Sequence, residues 1–129
     1  LGTIDDVYKV PYTGNDPLLE FLSKDKDNHW IKFIAYIDSG AFMTILTKND
    51  ASDLGIDLTK GKKLDLHGVG GTVLAYVHKV EIRIVNEIIK LEIAFSTSNE
   101  TPRLIGRSGI FDKFKICFND KVKNVSFSS

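Results

Sequence analysis

The sequence predicts an all-β fold, a closed or partly closed barrel that carries one or two short helices. Apolar and polar residues alternate over several short segments, as they do in strands with one buried face. Turn residues separate these segments at close spacing, which is typical of barrels. With 129 residues, the chain is long enough for one domain with its own core and too short for two lobes.

The predicted elements begin after a polar segment, residues 1–16, which Pro and Gly interrupt and which we expect to be a loosely ordered N-terminal arm. Residues 17–129 form the single predicted lobe. Its first strands are residues 18–22 and 29–37, a hairpin joined by a charged turn at residues 24–28.

A short helix is predicted after a third apolar strand, residues 42–46. Thr47 occupies the position of an N-cap, and Asp50 three residues later completes a weak capping box. Gly55 is expected to end the helix after Leu54, because glycine readily adopts the left-handed conformation at helix ends.

Two strands with alternating apolar residues follow, over residues 72–84 and 89–95, and His78 interrupts the first of them. A glycine-rich hairpin tip at residues 67–72 precedes them. Its glycines do not match a dinucleotide-binding fingerprint, since Val73 stands where the last glycine belongs. His67 is expected to be a solvated loop residue.

The last predicted elements are a short helix at residues 108–114 and closing strands at residues 115–118 and 122–127.

The candidate chemistry lies in Asp38-Ser39-Gly40, where the apolar strand 30–37 runs into a tight turn. A carboxylate at the end of a buried strand is held rigidly and partly desolvated, which favours a useful pKa. Taken alone, the three residues are typical of an ordinary turn.

Four features in order resemble a lobe of the retropepsin-like aspartic proteases, over residues 17–127. They are the Asp38-Ser39-Gly40-Ala41 turn, the short helix after it, the glycine-rich tip, and Leu104-Ile105-Gly106-Arg107. The chain is therefore identified as a cellular, single-lobe member of that family.

The resemblance implies the site residues. It makes Asp38 the catalytic residue, supported by Ser39, Gly40 and Ala41 in the turn. The tip becomes a flap over substrate, formed by Gly68, Val69, Gly70, Gly71 and Thr72. Ile105, Gly106 and Arg107 are expected to pack beside the active site, and Val69, Val73 and Leu74 are candidates for lining subsites.

Counting carboxylates predicts a homodimer. Peptide hydrolysis by this family needs two carboxylates that share a proton, one acting as base and the other as acid. The chain has one Asp-Ser-Gly, so the second Asp38 has to come from another subunit. The predicted function is a homodimeric aspartic endopeptidase that hydrolyses peptide or protein substrates with an activated water.

Two alternatives remain. One is a non-catalytic dimeric peptide-binding or scaffold module with the same fold. It draws support from Phe42, which stands where viral members have an Asp that pairs with the arginine equivalent to Arg107. Arg107 then has Asp112, Asp5, Asp6 or solvent as its partner. The other alternative is a plain β-barrel ligand binder.

Family members commonly interleave their terminal strands in the dimer, so either terminus of this chain could contribute to the dimer interface.

Composition argues against several other classes. Lys+Arg and Asp+Glu both number 17, so a zero net charge gives no support for nucleic-acid or membrane binding. No apolar run approaches the about 20 residues that span a bilayer. The histidines and Cys117 lack metal-ligand spacing, so no metal and no cofactor are expected. A single cysteine fits a reducing compartment, and we expect a cytoplasmic location.

Overall fold

A computed structural model describes residues 7–68 and 70–129, and these residues form ten strands, one α-helix and one 3-10 helix. The strands are β1 (Tyr8–Pro11), β2 (Leu18–Lys24), β3 (Trp30–Ile37), β4 (Thr44–Leu46), β5 (Lys62–Gly68), β6 (Gly71–Ile84), β7 (Glu87–Ser96), β8 (Leu104–Ile105), β9 (Lys115–Asn119) and β10 (Asn124–Ser128). The helix α1 is Lys48–Asp53, and the 3-10 helix is Leu58–Lys60.

Six of these strands close into a barrel, in the order β2, β3, β8, β4, β7, β6. The barrel closes where β6 returns to β2, with Leu22 opposite Arg83 and Ser23 opposite Ile82. Strand β5 forms a hairpin with the first half of β6, and this hairpin extends past the point where β6 begins to pair with β7. The predicted all-β barrel with little helix is confirmed.

Alternating side chains fill the barrel. In β7, Ile89, Leu91 and Ile93 are buried, whereas Lys90 and Glu92 are exposed. Burial of one face of each strand is the main force that holds such a sheet closed. The predicted alternation is confirmed here.

The helix after the third predicted strand has the predicted caps. The Asp50 N–H donates to Thr47 Oγ1 at 3.2 Å, and the Thr47 N–H donates to Asp50 Oδ2 at 2.9 Å. Gly55 follows the last turn with a φ of +71°, a conformation that glycine adopts without steric cost. The preceding strand is shorter than predicted and begins at Thr44.

The helix predicted for residues 108–114 is absent, and this prediction was wrong. The segment is a series of turns in which Phe111 N–H bonds Arg107 C=O and Phe114 N–H bonds Ile110 C=O. Gly109 has a φ of +80°, which breaks the run of helical dihedrals. A Cβ on Gly109 would lie 2.9 Å from Leu91 Cβ, so the glycine also permits close packing on β7.

The two ends of the described chain meet in a second sheet, with the order β1, β10, β9. Val10 lies opposite Val125, and Tyr8 lies opposite Phe127. Tyr8–Pro11 is thus a strand, where a loosely ordered arm was expected. Its backbone groups pair with β10, and Val10 packs against the hydrophobic core. Residues 1–6 of the predicted arm lie outside the described residues.

Candidate active site

Asp38 comes directly after β3 and is held by the neighbouring strand β8. Strands β3 and β8 pair in parallel, with Ile37 opposite Ile105. The Asp38 N–H then donates to the Ile105 C=O at 2.9 Å. Ile37 and Ile105 are both buried, so the backbone beneath Asp38 is anchored in the barrel core.

The turn itself brings Gly40 back to the carboxylate. The Gly40 N–H donates to Asp38 Oδ1 at 2.8 Å, and the Ala41 N–H donates to the Asp38 C=O at 3.2 Å. A Cβ on Gly40 would lie 3.1 Å from Asp38 Oδ1, closer than most such contacts. A larger residue would push the carboxylate aside, which gives a physical reason for glycine here.

The segment after β8 is hydrogen-bonded to the end of the Asp38 turn and to the residue that follows it. Arg107 N–H donates to Ala41 C=O at 2.9 Å, and Ser108 N–H donates to Phe42 C=O at 2.7 Å. Gly106 packs so close to Met43 that a Cβ would overlap the Met43 backbone. Ile105, Gly106 and Arg107 therefore contact the residues of the Asp38 turn and those that follow it.

Thr44 adds a buried contact that sequence reasoning missed. Its hydroxyl accepts a hydrogen bond from the Gly106 N–H at 3.2 Å, and Thr44 is fully buried. An apolar residue here would leave a buried N–H unpaired, which is costly. The sequence showed only one polar residue in an apolar strand, so no signal linked it to Gly106.

Arg107 turns toward the Asp38 turn rather than toward a carboxylate. Its Nη1 donates to the Ser39 C=O at 2.6 Å. No ion pair joins it to Asp112 within the described ranges, and Asp5 and Asp6 lie outside them. Phe42 is 68% exposed, the largest exposed fraction among the exposed large apolar residues.

A cavity of about 650 Å³ opens beside Asp38, between the turn and the β5–β6 hairpin. Its walls are mainly apolar and come from the turn, β4, β5 and the segment before β8. The residues that line it are Asp38, Gly40, Ala41, Phe42, Met43, Ile45, Leu64, Asp65, Leu66, His67, Gly68, Pro102 and Leu104.

A second cavity, of about 460 Å³, adjoins the first and shares Ile45, Leu66, His67, Gly68, Pro102 and Leu104 with it. Gly70, Gly71 and Val73 also line it. Because the two cavities share six lining residues, we treat them together as a groove lined by residues from Asp38 to the tip of the hairpin. We call this the Asp38 groove.

The hairpin tip lies where the sequence placed it. Gly68 pairs with Gly71, which has a φ of +116°. His67 Nδ1 and Thr72 Oγ1 are 3.1 Å apart across the two strands, so His67 is tied to the hairpin. Val69 lies outside the described residues. Leu74, a candidate subsite residue, is not among the residues that line the groove.

An ion pair that sequence reasoning missed lies behind the site. Arg103 Nε donates to Asp50 Oδ2 at 2.8 Å, and Arg103 Nη2 donates to Asp50 Oδ1 at 2.9 Å. Burial opposes ionisation of Asp50, but hydrogen bonds from Arg103 and Thr47 outweigh it and hold the pKa of Asp50 below its ordinary value. The two residues are separated by 53 positions, and no local pattern joins them.

Two aspartates and one histidine in the turn between β2 and β3 bring potential metal ligands together. Ligand atoms of Asp25, Asp27 and His29 lie within 4.8 Å of one another. The Asp25 carboxylate already accepts the backbone N–H groups of Asp27 and His29, both at 2.8 Å. Hydrogen bonding by the His29 N–H lowers the pKa of Asp25, so the arrangement is explained by the turn itself.

Comparison with known proteins identifies the family. A family model described as aspartyl protease matches residues 31–108, which contain the Asp38 turn, the hairpin and Leu104-Ile105-Gly106-Arg107. The chain belongs to the aspartyl protease family. A search of curated proteins gave no match.

Solved structures show the retropepsin-like fold. A retropepsin-like aspartic protease from Rickettsia conorii matches with a TM-score of 0.70 and 22% identity, covering 94% of this chain and 98% of the other. The EIAV protease in complex with the inhibitor HBY-793 matches with a TM-score of 0.62 and 23% identity, covering 81% and 94%. Across the described residues, no helix has the length and apolar character that a membrane span requires.

Proposed function

We propose that this family member is a homodimeric aspartic endopeptidase in which Asp38 is the catalytic residue. The observation that carries the proposal is the position of Asp38. Its backbone is fixed by β8, one carboxylate oxygen is oriented by Gly40, and the carboxylate lines the Asp38 groove. A rigid carboxylate beside a groove with apolar walls is suited to act on a bound peptide.

The proposed chemistry uses two copies of Asp38. One carboxylate takes a proton from water while the other gives a proton to the carbonyl oxygen of the scissile bond. Two carboxylates about 3 Å apart share one proton, since both cannot ionise together. Because the chain has one Asp-Ser-Gly, the second carboxylate comes from a second copy related by a two-fold axis.

The other predicted site residues take supporting roles in this proposal. Ser39, Gly40 and Ala41 form the floor beneath substrate, and Ile105, Gly106 and Arg107 keep that floor rigid. The hairpin tip, residues 68–72, acts as a flap that closes over an extended peptide and excludes water. Residues 17–129 form the protease lobe in this proposal, residues 1–16 are the N-terminal segment, of which Tyr8–Pro11 pairs with β10, and the cytoplasm is the proposed compartment.

The decisive test replaces Asp38 with Asn. The amide has nearly the same shape but no basic oxygen, so we expect hydrolysis of an unstructured protein to fall by at least about 1000-fold. Asp112→Asn is the matched control, an identical change at an exposed aspartate that does not line the groove. Peptide release is measured at several acidic pH values.

The outcomes also separate the scaffold alternative. Cleavage by the parent and the Asp112→Asn variant, with none by the Asp38→Asn variant, supports the proposal. Equal cleavage by all three proteins contradicts a catalytic role for Asp38. Binding of peptides without cleavage by any of the three, over a concentration range that favours dimers, supports a non-catalytic peptide-binding module.

A further inference from the structure

We propose that Arg103 is a positioning residue, whose ion pair with Asp50 fixes the strand and turn that hold Asp38 in place. The inference rests on the proposed function, because the reaction it serves is the one proposed for Asp38. Neither Arg103 nor Asp50 lines the Asp38 groove, so the effect has to pass through the backbone.

The ion pair is rigid on the Asp50 side. The Asp50 side chain is 1% exposed, and it accepts hydrogen bonds from the Thr47 N–H and from Nε and Nη2 of Arg103. A bidentate guanidinium–carboxylate contact fixes orientation as well as distance. Arg103 is therefore tied to the first turn of α1, a point that the barrel core supports through the buried Ala51 and Leu54.

The backbone of Arg103 connects this anchor to Asp38. The Arg103 C=O accepts the Tyr36 N–H at 3.1 Å, two residues before Asp38. Two residues after Arg103, the Ile105 C=O accepts the Asp38 N–H at 2.9 Å. At its far end the segment is fixed to the turn by the Arg107 guanidinium, which bonds the Ser39 C=O.

Residues 103–108 thus form a clamp, with an ion pair at one end and the Asp38 turn at the other. Strand β8 has only two residues, so the position of the segment depends on the contacts at its two ends as well as on its pairing with β3 and β4. Among the described residues, removal of the ion pair leaves the Arg103 end of this short segment held by its backbone contact with Tyr36 alone. A catalytic group needs to stay within about 0.5 Å of its productive position, and a displacement of about 1 Å lowers rates by about 100-fold.

Amide hydrogen exchange tests the clamp without relying on activity. In an Arg103→Gln variant we expect the amides of Asp38, Arg107 and Ser108 to exchange at least about tenfold faster. Amides of the β6–β7 ladder serve as the internal reference and keep their parent rates. Lys32→Gln is the matched control. It breaks an exposed ion pair, in which Lys32 Nζ lies 3.6 Å from Glu20 Oε1, and should leave the exchange rates of the three amides unchanged.

Kinetics then test whether the clamp serves the reaction. For Arg103→Gln we expect kcat to fall by about tenfold and KM to stay within about twofold, since the groove is untouched. Arg103→Lys keeps the positive charge but not the bidentate geometry of the guanidinium. We therefore expect its kcat to lie between those of Arg103→Gln and the parent. All variants are assayed at a temperature where circular dichroism shows them folded.

The results separate the two proposals. Unchanged exchange at Asp38, Arg107 and Ser108, or a uniform increase over the whole barrel, overturns the clamp whether or not the protein cuts peptides. Faster exchange confined to the clamp with unchanged kcat also overturns the positioning role. Absence of cleavage by the parent counts against the endopeptidase, while the exchange data still decide whether Arg103 holds the segment around Asp38.

Discussion

At the residue scale, the fully buried Asp50 shows how one side chain serves two elements. It completes the capping box of α1 with Thr47 and holds Arg103 beside β8. Burial would disfavour its charge, yet the hydrogen bonds keep the pKa of Asp50 below its ordinary value. The ionised carboxylate is therefore part of the folded structure, and its protonation has a cost in stability.

The pH dependence of stability follows from this lowered pKa. The folded state binds the Asp50 proton less readily than the unfolded state, so the stabilisation is complete above the unfolded pKa of about 3.9 and is lost as pH falls through the lower folded value. We expect Asp50→Asn to cost about 1.5–3 kcal/mol at pH 7. The difference from the parent should shrink below about pH 4.

Urea unfolding of the parent and the Asp50→Asn variant, at pH values from about 3 to 7, measures this effect. Asp112→Asn provides the comparison for an exposed aspartate. A difference between the parent and Asp50→Asn that stays constant down to pH 3 would contradict a stabilising carboxylate at Asp50.

At the element scale, the β5–β6 hairpin is long and lies beside the Asp38 groove, but its tip adds little to the core. No atom outside the chain neighbours lies within 4 Å of a Cβ built on Gly68, Gly70 or Gly71. Gly71 has a φ of +116°, which β-branched residues resist. The tip can therefore be altered with little effect on the barrel.

We expect the Gly70→Val, Gly71→Val double variant to lose at least about tenfold in kcat/KM while its Tm stays close to that of the parent, because a misdirected tip no longer closes over peptide. Lys63→Val, at the exposed base of the same hairpin, is the control for an added valine. The measurements are thermal unfolding and peptide cleavage. Unchanged kcat/KM at equal stability would show that the hairpin is not a flap.

The sequence predicted those elements whose signals are local. Alternation in β7, the Thr47–Asp50 capping box and the Gly68–Gly71 hairpin each depend on residues close together in the chain. The errors came from long-range contacts. Val10 orders β1 by packing against the core with β10, and Gly109 packs on Leu91 where a helix was expected. The Asp50–Arg103 pair was missed for the same reason.

At the scale of the whole molecule, the terminal strands pair within one chain. Strand β10 lies between β1 and β9, so the described terminal sheet forms without a partner. The expectation that terminal strands contribute to a dimer remains a prediction. Among the described terminal strands, only the outer edges of β1 and β9 are open to such a contribution, because both edges of β10 are already paired.

A subunit-mixing experiment tests the shared active site directly. If each active site needs Asp38 from two copies, a dimer of one parent and one Asp38→Asn subunit is inactive. Random exchange of parent protein with a ninefold excess of the variant then leaves about one tenth of the parent activity, because few parent subunits still pair with each other. The same excess of Asp112→Asn, which keeps Asp38, should not lower the activity.

Cleavage in this mixing experiment is measured after equilibration at a fixed parent concentration, and sedimentation follows the amount of dimer. Full activity in the presence of excess Asp38→Asn, with exchange confirmed by a mass label on one subunit, would mean that a single Asp38 suffices.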